Sequence, residues 1–222
     1  AALNGHFVAP AIIEIDSPAR LTREVFGPVL HVIRFQREQL DQLIAGINAT
    51  GYGLTFGMHS RIDETIAHLT ERVHAGNIYV NRNVIGAVVG VQPFGGMGLS
   101  GTGPKAGGPL YLHRLVQGEP NAALQALPRA DAGQPQPALE LLARLQQAVL
   151  PGVGQDQARM ACDAALAASR LGAGQLLPGP TGESNRYRLL PRGPVWALPR
   201  TPLGLVHQVA ASLASGNPCH VV

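Results

Sequence analysis

The sequence predicts an α/β chain, and two observations carry this. Between residues 60 and 81 a helical stripe (Ile62, Ile66, Leu69, Val73) is followed at once by the apolar run Asn77-Ile78-Tyr79-Val80-Asn81. The same alternation of helical and extended patterns returns after residue 138. Composition supports a folded chain, since 45% of the 222 residues are hydrophobic and 14% charged.

Ala11-Ile12-Ile13 and Val29-Leu30-His31-Val32-Ile33 read as short buried strands separated by a turn-rich stretch. Leu40, Leu43, Ile44 and Ile47 fall on one helical face, with Gly51 as the stop. Ser60 reads as an N-cap with Asp63 three positions on, and Gly76 as the end of that helix. Residues 86–109 form a glycine-rich loop region. Residues 118–137 are rich in proline and poor in bulky apolar residues, which predicts a linker. Beyond it, Leu141, Leu142, Leu145 and Val149 predict one helix, and the alanine-rich stretch Asp156–Leu171 a second. Tyr187–Leu190 and Val195–Leu198 are strand candidates after the turn cluster Pro178–Gly182. Thr201-Pro202 supplies an N-cap and N1 pair for a helix closing on Gly216, and Val221-Val222 begins another strand.

Several function classes are excluded. The net charge is +3 and the pI about 9.2, but lysine occurs once, at Lys105, and no basic block exists. A nucleic-acid surface needs clustered cations, so none is expected on this segment. The eight histidines are scattered without a metal spacing, so no metal site is expected. Cys162 and Cys219 form no CxxC pair and suit a reducing cytoplasm. Cys162 shares a helix face with Ala158, Ala161 and Ala165, as a small core side chain would. No apolar run reaches ~18 residues, so membrane association is peripheral if it occurs. The first residues do not form a signal peptide. With no initiator Met and an end inside an apolar run, the sequence is expected to be a piece of a longer chain.

Three stretches carry chemistry. In Glu24-Val25-Phe26-Gly27-Pro28 a carboxylate can accept from both hydroxyls of a ribose, and a phenyl ring two residues later can lie against a flat ring. Alone, these residues equally describe a surface acid and a core Phe before an ordinary turn. Ile85-Gly86-Ala87-Val88-Val89-Gly90 can turn backbone N–H groups toward an anion, or be a plain strand edge. Pro93-Phe94-Gly95-Gly96 opens a third, flexible stretch. Gly96-Met97-Gly98-Leu99-Ser100-Gly101 matches a dinucleotide fingerprint in letters only. Pro104, Gly107 and Pro109 follow where a helix must start.

Taken together, Glu24-x-Phe26-Gly27-Pro28, Gly76-Asn77-x-x-x-Asn81 and Pro93-Phe94-Gly95-Gly96-x-x-x-Ser100-Gly101, in this order, resemble the C-terminal part of the aldehyde dehydrogenase superfamily. The stretch Asn81–Gly96 resembles the glutamate-semialdehyde (pyrroline-5-carboxylate) dehydrogenases. Ser100–Pro109 points to the form found in long bifunctional proline utilization A proteins. The resemblance implies an incomplete aldehyde dehydrogenase-like fold over residues 1–117, a linker over 118–137, and a second incomplete Rossmann-like unit over 138–222. It implies NAD as cofactor, with Glu24 on the nicotinamide ribose and Phe26 beside the nicotinamide. The Gly86-Ala87 backbone would anchor the carboxylate of glutamate semialdehyde, and Phe94 would line the aldehyde pocket. Both groups of residues would face one pocket. Lys105 and the glycines after it would shape the neighbouring loop. The nucleophilic cysteine and general base would precede residue 1, with an FAD-dependent proline dehydrogenase domain further upstream. A homo-oligomer is implied. In the second unit Pro199-Arg200-Thr201-Pro202 stands where active dehydrogenases carry Pro-Trp-Asn, which implies a non-catalytic cover or assembly role. Two alternatives remain open: another aldehyde dehydrogenase, and a non-catalytic module built from such pieces. An isolated chain of these residues is expected to be inactive and poorly folded, because uncovered sheet edges and apolar faces remain.

Overall fold

A computed structural model describes residues 5–117 and 137–222. The chain divides into two units, Ala1–Tyr111 and Leu112–Val222. The expected linker lies outside the described residues, apart from Pro137.

In the first unit β1 (Ala11–Glu14) runs parallel to β2 (Val29–Val32). Both strands were expected, but not their exposure. Ile12 is 76% and Leu30 56% exposed, and among the described residues the pair forms a two-stranded sheet of its own. Helix α1 (Leu40–Ala49) buries Ile44 and rests Leu40 and Ile47 on the core, as the 3.6-residue stripe requires. Gly51 follows at φ +75°, the left-handed conformation that ends a helix cheaply. Strands β3 (Tyr52–Gly53) and β4 (Thr55–Met58) come next, then α2 (Asp63–Arg72) and β5 (Asn77–Val80). β4 and β5 are parallel with α2 as the crossover, which is a βαβ unit. Its core is Ile44, Met58, Leu69, Val73 and Ala75.

The α2 boundaries differ from the sequence reading at both ends. Ser60 is not the N-cap; Ile62 occupies that position without a side-chain bond. The Ser60 hydroxyl accepts from Ile62 N, and its backbone is held by Asn81 through Ser60 N→Oδ1 and Nδ2→Ser60 O, both 2.9 Å. The helix stops at Arg72 rather than Gly76, and Gly76 N already donates to Gly53 O in the approach to β5. After β5 the chain returns as β6 (Met97–Gly98), antiparallel to β3.

In the second unit α3 (Pro137–Gln147), α4 (Gln155–Ala168) and α5 (Pro202–Ala214) pack around Leu142, Cys162 and Val206. Ala158, Ala161, Ala210 and Ala214 are almost fully buried between them, and side chains this small let the helices approach closely. The Thr201 hydroxyl accepts from Gly204 N at 3.0 Å, the expected cap on α5. Helix α4 ends at Ala168, three residues before the expected Leu171. β7 (Gly174–Leu177), which the sequence did not reveal, pairs antiparallel with β8 (Asn185–Arg188) across the Pro178–Gly182 turn. β9 (Val195–Ala197) and β10 (Cys219–Val221) are parallel, with α5 as their crossover. No helix among the described residues is long and apolar enough to cross a membrane.

Candidate functional site

Glu24 sits on the segment between a short 3-10 turn, Pro18–Arg20, and β2. Gly27 then takes φ +123°, and Val29 N donates to Gly27 O at 2.8 Å, closing a three-residue turn around Pro28. Glu24 and Phe26 lie just before this turn. Both are exposed, Phe26 to 91%. Glu24 borders a cleft of about 340 Å³ with His31, Tyr52, His74 and Ser100. Its carboxylate takes part in no ion pair or hydrogen bond among the described residues. Phe26, Gly86, Ala87 and Phe94 do not line this cleft.

Gly86 and Ala87 are half-buried, and their N–H groups donate to no acceptor among the described residues. A Cβ on Gly86 would meet nothing within 4 Å. Ile85 and Val89 on either side are 91% and 99% exposed. The loop is shaped by its own bonds. Asn83 Oδ1 accepts from Ile85 N, while Gln92 Oε1 accepts from Val88 N at 2.8 Å. Val91 N and Gln92 N both donate to Val88 O.

Phe94 is half-buried and sits in an antiparallel bridge to Ala106, with bonds of 3.0 and 2.9 Å. The next stretch is the fingerprint look-alike. It forms β6 and a turn back onto β3, with Leu99 N on Gly51 O and Gly53 N on the Ser100 hydroxyl. It opens no α-helix.

The sequence reading gave Asn77 no role and Lys105 only a general one. Asn77 is 8% exposed. Its Nδ2 donates to Pro93 O at 2.8 Å and its Oδ1 accepts from Gly95 N at 3.2 Å. Lys105 Nζ donates to Gly76 O, to Asn77 Oδ1 at 3.0 Å and to Gly95 O at 3.4 Å. The signal available for Lys105 was its solitude: one lysine, set between Pro104 and Gly107, in a chain whose other cations are arginines.

Burial pulls the Lys105 ammonium down from 10.5 to about 8. All three acceptors are neutral, so no counter-charge offsets the lost solvent. Below pH 8 the amine is charged in the folded and unfolded chain alike. Between about 8 and 10.5 only the unfolded chain holds the proton, so the stability contributed by this group rises with pH through that window. The expected result is a wild-type minus Lys105→Met difference in unfolding temperature that is flat below pH 8 and grows in favour of wild type above it. A constant difference across the window contradicts the assignment.

In the second unit Cys162 is a core side chain. Its thiol is pushed up by burial and by the neighbouring Asp163 carboxylate, which is the opposite of nucleophile activation. Among the described residues no group of His, Cys, Asp or Glu is placed to hold a metal ion.

The arrangement therefore offers an unpaired carboxylate at a cleft, two unpaired N–H groups in a small-residue loop, and a phenyl ring on a tightly bonded turn. Comparison with known proteins agrees with the motifs. The aldehyde dehydrogenase family pattern matches residues 1–118. The bifunctional protein PutA of Rhizobium meliloti is 55% identical over 213 residues, covering 96% of this chain and 17% of that protein. The 1-pyrroline-5-carboxylate dehydrogenase of Bacillus subtilis is 43% identical over 110 residues, 49% of this chain and 21% of that one. The solved structure of proline utilization A from Corynebacterium freiburgense superposes with a TM-score of 0.67 at 29% identity, over 95% of this chain and 21% of that one. The chain thus spans about a sixth of the length of its bifunctional relative. With its three motifs in register and more than half its length matched, this chain belongs to the aldehyde dehydrogenase family.

Proposed function

We propose that these residues form the cofactor- and substrate-anchoring side of an NAD-dependent glutamate-semialdehyde dehydrogenase within a bifunctional proline-oxidising enzyme. One observation carries the reading. The bifunctional relative matches 96% of the chain, through both units, whereas the single-activity dehydrogenase matches 49%. The second unit therefore accompanies the bifunctional form.

The chemistry of the groups fits. NAD, when bound, supplies the hydride acceptor. Glu24, with both carboxylate oxygens uncommitted, suits the ribose diol, and the bare face of Phe26 suits a flat ring. The N–H groups of Gly86 and Ala87 suit the substrate's α-carboxylate, since backbone donors bind an anion without a buried counter-charge. Phe94 provides an apolar wall for the aldehyde end. The partner activity, proline dehydrogenation with FAD, would reside elsewhere in the intact protein. In the second unit Thr201 commits its hydroxyl to capping α5, which supports a structural role there.

The test uses the full-length protein and follows NADH formation with glutamate semialdehyde, succinate semialdehyde and acetaldehyde. Glutamate semialdehyde is expected to lead in kcat/KM by about tenfold or more, because a site built for a polar group rejects substrates lacking it. Equal values for all three defeat the reading.

A further inference from the structure

We propose that Lys105 and Asn77 are positioning residues for Phe94, clamping the backbone on both sides of its ring and thereby fixing one wall of the substrate site. The inference rests on the functional reading above, in which Phe94 faces the aldehyde.

The polar groups around Phe94 are all engaged. Pro93 O accepts from Asn77 Nδ2. Phe94 N and O exchange bonds with Ala106. Gly95 N donates to Asn77 Oδ1, and Gly95 O accepts from Lys105 Nζ. Every backbone donor and acceptor from Pro93 O to Gly95 O is thus committed, and the freedom left to Phe94 is in its side-chain torsions. Lys105 also ties Asn77 Oδ1 and Gly76 O, so the head of β5 and the Phe94 turn share one cation.

The glycines exist for this closeness. A Cβ on Gly76 would lie 1.8 Å from Gly95 O, and one on Gly95 would lie 3.3 Å from Lys105 Cα. Burying an ammonium among neutral oxygens is costly, and a surface cation meant for solubility would not be placed so. The constraint also passes backward along the chain. Gln92, next to Pro93, caps Val88 N in the loop that holds Gly86 and Ala87.

A residue that acts through Phe94 must lose its effect when Phe94 is removed. The experiment is a double-mutant cycle in the full-length enzyme, with Lys105→Met and Phe94→Ala alone and together, measuring KM for the aldehyde, kcat and KM for NAD. Lys105→Met is expected to raise the aldehyde KM about tenfold while kcat and the NAD KM change less than about twofold. In the Phe94→Ala background the same substitution is expected to change the aldehyde KM by less than about twofold. Asn77→Ser, which releases Pro93 O and Gly95 N while keeping the lysine, is expected to show the same pattern. Equal effects in both backgrounds, or parallel losses in kcat and NAD affinity, overturn the proposal. So does loss of the folded, NAD-binding protein in both variants, which makes the clamp a folding determinant only. If wild type shows no preference for glutamate semialdehyde, the functional reading fails by itself. The cycle is then read with whichever aldehyde the enzyme oxidises.

Discussion

Replacing Glu24 by Ala in the full-length enzyme is expected to raise the KM for NAD by about ten- to hundredfold, with the fold intact. Charge-assisted hydrogen bonds to a ligand are worth enough for that range, and the carboxylate has no other commitment to lose. Because Glu24 is exposed and unpaired, thermal unfolding of the variant should match wild type. Glu24→Gln keeps one acceptor oxygen and should fall between the two. Phe26→Ala should cost less, about three- to tenfold, since only a ring contact is removed. Equilibrium NAD binding followed by tryptophan or nicotinamide fluorescence decides the matter. If both alanine variants bind NAD as wild type does, these residues are not cofactor contacts, and the reading of this chain as a non-catalytic module built from dehydrogenase pieces gains.

The second large effect is expected at Gly76→Ala. The new Cβ would stand 1.8 Å from Gly95 O, 2.8 Å from Gly95 C and 2.9 Å from Gly96 Cα. These are backbone atoms, and Asn77 and Lys105 hold them, so the turn cannot step aside without breaking bonds. Overpacking of this kind costs about 1–3 kcal/mol, and here the displaced part carries Phe94. A lower unfolding temperature and a fall in kcat/KM for the aldehyde should appear together. Gly86→Ala is the control. Nothing lies within 4 Å of its added carbon, so stability should stay within about 0.5 kcal/mol of wild type. Wild-type stability in Gly76→Ala sinks the close-approach argument.

What the sequence revealed, and what it hid, follows from the range of the interactions involved. The α1 stripe was legible because its periodicity lies within one turn after another of the same helix. Thr201-Pro202 was legible as a helix start because the cap reaches only to Gly204. Ser60 looked like the same kind of cap but was claimed by Asn81, 21 residues away, which no local rule sees. Strand β7 gave no signal because Gly174-Gln175-Leu176-Leu177 contains no β-branched residue; its extended form is set by pairing with β8. The strands β1 and β2 were foreseen but not their exposure, since burial depends on neighbours rather than on the run itself. At the site, the chemistry of Glu24 and of the small-residue loop could be argued from residue type. The roles of Asn77 and Lys105 could not, because their bonds join positions 10 to 29 residues apart.

The solitary lysine has a practical corollary. Amine-directed labels and cross-linkers find no side-chain target on this stretch other than a group folded inward and tied to three oxygens. Amine-directed contacts to neighbouring subunits or domains are therefore expected to be sparse on this stretch, and carboxylate-directed chemistry is the appropriate tool for mapping them. Conversely, acylation at this one position reports directly on how often the turn beside it springs open.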